Sequence, residues 1–284
     1  MKKIIALALA GGLVFGAVSA QTITVAMGAD PVTFDLHNTN DQPTSQISRQ
    51  IYDTLVVQNE NLEIDPGLAE SWEAVDDTTW VFNLRDDVTW HNGDHFTAAD
   101  VVWTYERFMS LPAHSAFLLD SVSSVEALDD YTVQIELEFP FAPILNHLAH
   151  SSLGIMNQNA VEAAGDDYGT SVVVGTGPFV FDSWQTGDRV VLQRNDDWWG
   201  GDVLPETLVF RPIPEGSVRG IELETGGVDI AYTLPPTAAR SAEANDNVHL
   251  VPVRTLSTAY IGFNVQQEPF DDPLVRRAIN HAID

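Results

Sequence analysis

Two stretches of this chain repeat one pattern, and they restrict its fold more than any other feature of the sequence. They are "SWEAVDDTTWVFNLR", residues 71–85, and "SVEALDDYTVQIELE", residues 124–138. In each, a short segment leads into an Asp-Asp pair, typical of a turn, and then into strict alternation of apolar and polar residues. The sequence therefore predicts two β-hairpins with one buried face each. The residues of the buried faces are Trp80, Phe82 and Leu84 in the first hairpin and Val133, Ile135 and Leu137 in the second.

Helical spacing between and around these hairpins predicts a mixed α/β chain. An apolar stripe from Val101 to Phe108 has the spacing of one helix face. Thr97 precedes the stripe and Asp100 follows three residues later, a near match to a capping box. Further helices are predicted with Ile47, Ile51, Leu55 and Val56 on one face and Thr44 or Ser45 as the cap, and with starts near Asn157, near Glu215 and after Asp272.

The amino terminus and the composition predict an exported protein. Lys2 and Lys3, an apolar run and small residues up to Ala20 have the pattern of a cleaved signal peptide. No cysteine follows Ala20 for lipid attachment, so we expect a periplasmic location. The chain has no cysteine at all, which excludes thiol catalysis and thiolate metal sites. Its 41 acidic and 13 basic residues give a net charge of −28, which argues against nucleic acid or anionic membrane as a partner.

The segment "WHNGDHFTAAD", residues 90–100, raises the question of a metal site or an acid/base pair. His91 and His95 are four residues apart, the spacing of two zinc ligands on a helix. Asn92-Gly93 between them is a strong turn signal that breaks such a helix. We therefore interpret the segment as a turn leading to a helix, with Asp100 serving the helix amino terminus.

Motifs of catalysis are missing from the sequence. The chain has no G-x-S-x-G nucleophile elbow, and "GTGPF" lacks both the elbow and the Lys-Ser/Thr end of a phosphate loop. The paired acids lie in turns. We predict no catalytic residues, no metal ligands and no cofactor, with an exported hydrolase as the alternative from another class. Alternation does not account for Trp198-Trp199 in "DDWWGGD", where we expect packing at a domain junction.

Several stretches together resemble extracellular solute-binding protein family 5, the peptide- and nickel-type binding components of ABC importers. They are "IYDTLV", "PGLAESWEAVDDTTWVFNLRDDVTWHNGDHFTAADVVWTYER", "VGTGPFVFDSW", "LQRNDDWWGG", "GVDIAY" and "IGFNVQQEPFDDPLVRRAINHAID". The resemblance runs from about Ile23 to the end of the chain and keeps the order of the family's motifs.

The resemblance implies an α/β fold of the type II periplasmic binding protein kind, with two lobes and an inserted accessory domain. After the signal peptide, residues 1–20, lobe I would comprise residues 21–50 and 175–261. The accessory domain would comprise residues 51–174, and residues 262–284 would begin lobe II. Most of lobe II, with the groups that pair with a ligand's ends, is expected beyond Asp284.

The resemblance also implies where a ligand would bind. The loop after "DLHN" matches the family's ligand-contacting segment and places Asn40, Asp41 and Gln42 at the cleft between the lobes. The family commonly has Asp-Pro-His where this chain has Asp-Leu-His, which affects the expected shape of the loop. Tyr232 and Tyr260 are further candidates for the cleft, with a place in the core as the alternative for each.

The function implied is a monomeric periplasmic receptor that binds a di- or oligopeptide and delivers it to the permease subunits of an ABC transporter. Its contact with the membrane would be peripheral, through that complex. The same scaffold binding a nickel chelate, haem, a sugar or an opine is the alternative within the class, because a fold does not select a ligand. A chemosensory adaptor that binds the same ligand is a further alternative.

Overall fold

A computed structural model of the protein describes residues 21–112, 115–252 and 260–283. The predicted signal peptide, residues 1–20, lies outside them. Backbone contacts divide the chain into two units, Met1–Val248 and His249–Asp284. Among the described residues, no helix has the length and apolar character needed to cross a membrane.

A five-stranded sheet forms the centre of the first unit. Its strands are β1 Thr22–Met27, β8 Phe179–Gln185, β9 Arg189–Arg194, β10 Thr207–Pro212 and β11 Ile230–Ala231, in the order β11-β1-β10-β9-β8. β1 is parallel to β10 and β11, whereas β9 is antiparallel to β10. Strands β1, β10 and β11 therefore end at one edge, called the carboxyl edge below. β9 ends and β8 begins at the opposite edge, called the amino edge.

The two predicted hairpins are confirmed, and they join into one four-stranded sheet. The strands are β4 Ala69–Ala74, β5 Thr79–Leu84, β6 Val122–Asp129 and β7 Thr132–Leu137, in the order β4-β5-β7-β6. Phe82 lies opposite Val133 at the central pairing, and both side chains are fully buried. In each turn the first aspartate accepts backbone N–H bonds: Asp76 from Thr78 and Thr79 at 2.8 Å each, and Asp129 from Tyr131 at 2.9 Å.

The described residues also contain two short strands, seven α-helices and the short 3-10 helices Leu36–Asn38, Ala116–Leu118, Ser151–Leu153 and Gly165–Asp167. The strands β2 Val56–Gln58 and β3 Ile64–Pro66 pair with each other. The helices are α1 Gln42–Ile51, α2 Ala98–Ser110, α3 Ile144–Leu148, α4 Gln158–Ala164, α5 Gly216–Glu224, α6 Pro236–Glu243 and, in the second unit, α7 Pro273–Ala282. The predicted starts of α2, α4, α5 and α7 are confirmed. Asp100 accepts the Thr97 N–H at 2.9 Å, as the capping box requires.

The prediction for α1 is wrong at both ends. The helix ends at Ile51 because Tyr52 has an extended backbone, so Leu55 and Val56 lie outside it. Its cap is Asp41 and not Thr44 or Ser45, since the Asp41 carboxylate accepts the Thr44 N–H at 2.9 Å. Pro43 lies in the first turn, where its missing N–H would have no partner in any case.

The buried apolar side chains form two clusters that follow the two larger sheets. One cluster runs in sequence from Leu55 to Ile155 and packs under the four-stranded sheet. The other draws on residues before Asp53 and after Ile155 and packs against the five-stranded sheet. Where the chain passes between the clusters, the Ile155 N–H donates to the Asp53 carbonyl at 2.9 Å. The domain boundaries given above, with an insertion over residues 51–174, remain a prediction.

Candidate functional site

The loop that follows β1 at the carboxyl edge contains the first group of predicted ligand residues. Asn40 and Gln42 are exposed, and Asp41 between them is partly buried. Both carboxylate oxygens of Asp41 have local donors, since one accepts the Thr44 N–H at 2.9 Å and the other the Thr39 hydroxyl. The structure thus gives Asp41 a helix-capping role, and any contact with a ligand would come in addition to it.

The two predicted tyrosines differ in their surroundings. Tyr232 directly follows β11, and its N–H donates to the Ala26 carbonyl at 2.9 Å, which places it at the carboxyl edge. Its side chain is 40% exposed, so it is not a core residue. Tyr260 belongs to the second unit and is 85% exposed. At the carboxyl edge the structure therefore places Asn40, Asp41 and Gln42 after one strand and Tyr232 after its neighbour.

A buried ion pair fixes the same loop to helix α2. Arg107 donates to both carboxylate oxygens of Asp35, at 3.0 and 2.7 Å, and to Nδ1 of His37 at 2.7 Å. Asp35 is 6% exposed and His37 2%. Burial, and then the neighbouring Arg107 charge, lower the pKa of His37 to about 3, with Asp35 acting in the opposite direction. The imidazole is therefore neutral and can accept the Arg107 N–H.

A second carboxylate, the partly buried Asp53, lies beyond the other end of α1, and its donors among the described residues are neutral. Its Oδ2 accepts from the Thr176 hydroxyl and from Nε1 of Trp199, both at 2.9 Å. The Trp198 indole also faces this carboxylate, although its buried Nε1 has no hydrogen bond of good geometry. Burial raises the pKa of Asp53, and the bonds from Trp199 and Thr176 partly oppose that rise.

Comparison with known proteins identifies the kind of molecule that carries these features. The profile of "Bacterial extracellular solute-binding proteins, family 5 Middle" matches residues 63–284. The chain belongs to this family.

Its relatives include the glutathione-binding protein GsiB of Escherichia coli, 31% identical over 272 residues, which cover 94% of this chain and 53% of GsiB. The chain thus spans about half the length of the curated relatives it matches.

Solved structures show the same fold. OppA of Haemophilus influenzae, in complex with RPPGFSPFR, is 30% identical with a TM-score of 0.83, over 94% of this chain and 56% of OppA. MoaA of A. tumefaciens R10, in complex with mannopinic acid, is 26% identical with a TM-score of 0.82, over 94% of this chain and 56% of MoaA. The predicted α/β fold of the periplasmic binding protein kind is confirmed.

In this solute-binding protein the two histidines of "WHNGDHFTAAD" do not face a common metal or acid/base site. The N–H of Gly175 donates to Nδ1 of His91 at 3.3 Å, and Nε2 of His91 bonds to the Gly177 carbonyl at 3.0 Å. His95 is exposed. Both His91 nitrogens are therefore engaged by backbone, and the turn interpretation of the segment is confirmed by the short bridge between Thr89 and His95. Within the described residues, no three His, Asp or Glu side chains are grouped as metal ligands.

A well-formed pocket in the described part of this solute-binding protein lies away from the predicted ligand residues. Its volume is about 400 Å³, and we call it the Trp198 pocket. Its lining residues are Ser48, Arg49, Tyr52, Asp53, Thr54, Val57, Asp65, Pro66, Ala149, Ser151, Pro178, Trp198 and Trp199. Sequence reasoning assigned Trp198-Trp199 to packing at a domain junction and missed the pocket, because its walls come from five separate stretches of chain.

Proposed function

We propose that the protein is the periplasmic binding component of an ABC importer, and that it captures short peptides between two lobes and delivers them to the permease. The observation that carries this proposal is the likeness to OppA, whose structure holds the peptide RPPGFSPFR, at 30% identity and a TM-score of 0.83. The name of GsiB, a glutathione-binding protein, agrees with a small solute as ligand.

The carboxyl edge of the five-stranded sheet is suited to this task. In open α/β sheets, ligands bind in the crevice outside the carboxyl ends of the strands. Here that edge carries the exposed side chains of Asn40 and Gln42 and the half-exposed side chain of Tyr232. We assign Asn40, Asp41, Gln42, Tyr232 and Tyr260 as ligand residues within this proposal. An extended peptide offers backbone N–H and C=O groups that such polar groups can satisfy without reading its side chains.

Electrostatics favour a peptide with a positive end. The chain has a net charge of −28, which attracts cations over long range. Asp41 would supply the local negative charge at the peptide-binding edge, because its carboxylate lies at the start of α1 in the loop after β1. The ion pair of Arg107 with Asp35 supports this site indirectly, since it holds the same loop against α2.

Opine binding is the second candidate, because MoaA, with mannopinic acid bound, has nearly the same structural likeness as OppA. Native mass spectrometry of the intact protein, purified gently from its own periplasm, separates the two. A set of short peptides supports the proposal, whereas a single sugar-derived ligand, metal chelate or haem overturns the peptide assignment and keeps the receptor class.

The substitution Asp41→Asn tests the site itself. Asparagine caps a helix about as well as aspartate, so the variant keeps α1 intact and loses only the charge. We expect peptide affinity, measured by calorimetry on the intact protein, to fall about tenfold or more, the effect of removing one charged hydrogen-bond partner. Asp77→Asn, in the exposed turn between β4 and β5 of the four-stranded sheet, is the matched control. Unchanged affinity in Asp41→Asn would remove Asp41 from the site.

A further inference from the structure

The Trp198 pocket is separate from the proposed peptide site. Helix α1 is capped by Asp41 at the carboxyl edge, and residues near its other end, among them Arg49, line the pocket. Ten helical residues span about 15 Å. Pro178, directly before β8, and Trp198, shortly after β9, also line the pocket, so it opens at the amino edge. The pocket and the proposed peptide site therefore lie at opposite edges of one sheet.

The volume of this pocket is that of a ligand site. About 400 Å³ falls within the roughly 300–1,000 Å³ of small-molecule pockets. Its inner surface includes the buried residues Tyr52, Ala149 and Ser151, and its open side carries exposed Arg49 and Asp65. The pocket lies entirely in the first unit.

Polar groups in the Trp198 pocket have unused hydrogen-bonding capacity. Both described donors to Asp53 bond to Oδ2, so no described residue donates to Oδ1. Nε1 of Trp198 is buried without a hydrogen-bond partner. Arg49 forms no ion pair within the described part of the chain, although two carboxylates line the same pocket. Unpaired groups of opposite charge around one cavity are a pattern that a ligand with both charges can satisfy.

We propose that the Trp198 pocket binds a basic amino acid, or a molecule with the same charges, as a second ligand distinct from the transported peptide. The lining has one cation, Arg49, and two carboxylates, Asp53 and Asp65. A basic amino acid has one carboxylate and two cationic groups, so each ligand charge has an opposite partner in the lining. The Trp198 ring supplies a face on which a guanidinium or ammonium group is attracted. The neighbouring Trp199 ring already has the Arg85 guanidinium over it, 4.6 Å from the ring centroid.

Calorimetric titration of the intact protein with L-arginine and with L-citrulline, an analogue whose side chain is uncharged, tests the proposal. We expect saturable binding of L-arginine, at least about tenfold weaker binding of L-citrulline, and no change when a transported peptide is present at saturation. Arg49→Gln should weaken both ligands about tenfold, because both carry the carboxylate. In this proposal Asp53 pairs with the α-ammonium group and the exposed Asp65 with the guanidinium, so Asp65→Asn should weaken L-arginine and leave L-citrulline unchanged. Arg240→Gln, an exposed arginine of α6 outside the pocket, is the matched control.

The place of binding is checked independently by the indole N–H resonance of Trp198, assigned with Trp198→Phe. L-arginine should shift this resonance in the wild type, and the same shift in Arg49→Gln should need about tenfold more L-arginine. Three results overturn the proposal: no saturable binding at millimolar L-arginine, binding that Arg49→Gln leaves unchanged, or displacement of L-arginine by peptide. If another part of the intact chain covered the pocket, the absence of saturable binding would show it. The peptide proposal does not depend on any of these results.

Discussion

The two carboxylates near the ends of α1, the buried Asp35 and the partly buried Asp53, show two ways of holding an acidic side chain away from water. Asp35 has a cationic partner, Arg107, with both oxygens bonded. Asp53 has only the neutral donors Thr176 and Trp199 on one oxygen. Each links segments far apart in sequence, but only the Asp35 region compensates the buried charge with an opposite one.

The different surroundings of Asp35 and Asp53 predict that acid changes the free energy of unfolding in opposite directions in the two regions. The pKa of His37 is about 3 in the folded state and about 6.5 in the unfolded chain. Between these two pH values the unfolded chain binds a proton that the folded state does not bind, so stability is lost as pH falls from about 6.5 to about 3. The raised pKa of Asp53 means that the folded state binds its proton first. As pH falls through the folded pKa of Asp53, stability is therefore gained.

The largest effect is expected from Arg107→Met, which leaves the Asp35 carboxylate buried without its cation. Breaking a buried ion pair in this way costs about 3–5 kcal/mol of the free energy of unfolding. Urea denaturation followed by tryptophan fluorescence measures the loss. The matched control is Arg189→Met, since Arg189 pairs with Asp188 on the surface and its side chain is 54% exposed. That change should cost about 0–1 kcal/mol. Equal losses of the free energy of unfolding in the two variants would contradict the contrast between the buried and the surface ion pair.

The next effect concerns His37→Asn, in which the amide oxygen can replace Nδ1 as acceptor for Arg107. The smaller side chain loses packing against the Phe108 ring, whose centroid is 5.1 Å away, so we expect a loss of about 2–3 kcal/mol at neutral pH. The loss should shrink as pH falls from about 6.5 towards 3, because the variant has no imidazole to protonate. A constant loss across that window, in denaturation curves at several pH values, would remove His37 as the acid-sensitive group.

A smaller effect follows from Trp199→Phe, which removes one of the two hydrogen bonds to Asp53 Oδ2. The expected cost is about 1–2 kcal/mol of the free energy of unfolding, because the partly buried carboxylate keeps fewer donors. The pKa of Asp53 should rise further in the variant, which NMR titration of its carboxyl carbon can follow. A lower Asp53 pKa would mean that the Trp199 N–H does not stabilise the charged form.

The smallest effect is expected from Asp53→Asn, which keeps an acceptor for Thr176 and Trp199 and removes the unpaired charge. Stability at neutral pH should stay within about 1 kcal/mol of the wild type or exceed it. Any gain should vanish in acid, where the wild-type carboxyl is itself neutral. Asp35→Asn is the comparison within the same protein, and it should destabilise, since Arg107 loses its anion. If Asp53→Asn and Asp35→Asn destabilised the protein to the same extent, the charge of Asp53 would contribute to stability as that of Asp35 does.

Local sequence signals were enough to predict the hairpins and most helix starts. The Asp76 and Asp129 turns and the Thr97 cap act within three residues, so short patterns encode them. The carboxylate anchors could not be predicted in this way, because Arg107 lies 72 residues from Asp35 and Trp199 lies 146 residues from Asp53.

Asp41 stands between these cases. Its place two residues before Pro43 is a helix-start signal that could have identified it as the cap of α1. The resemblance to solute-binding proteins predicts it as a ligand residue instead. Tyr232 was predicted at the cleft from its motif, but its exposure depends on how β11 pairs with β1, which the motif does not encode.

The hydrogen bond between the Ile155 N–H and the Asp53 carbonyl gives residues 54–154 a mechanical property of their own. The chain leaves the core of the five-stranded sheet and returns to it at almost the same point, so these residues form a loop closed at its base. A pulling force applied to the chain on either side is transmitted through that base first. We therefore expect the four-stranded sheet to bear tension only after this junction has opened.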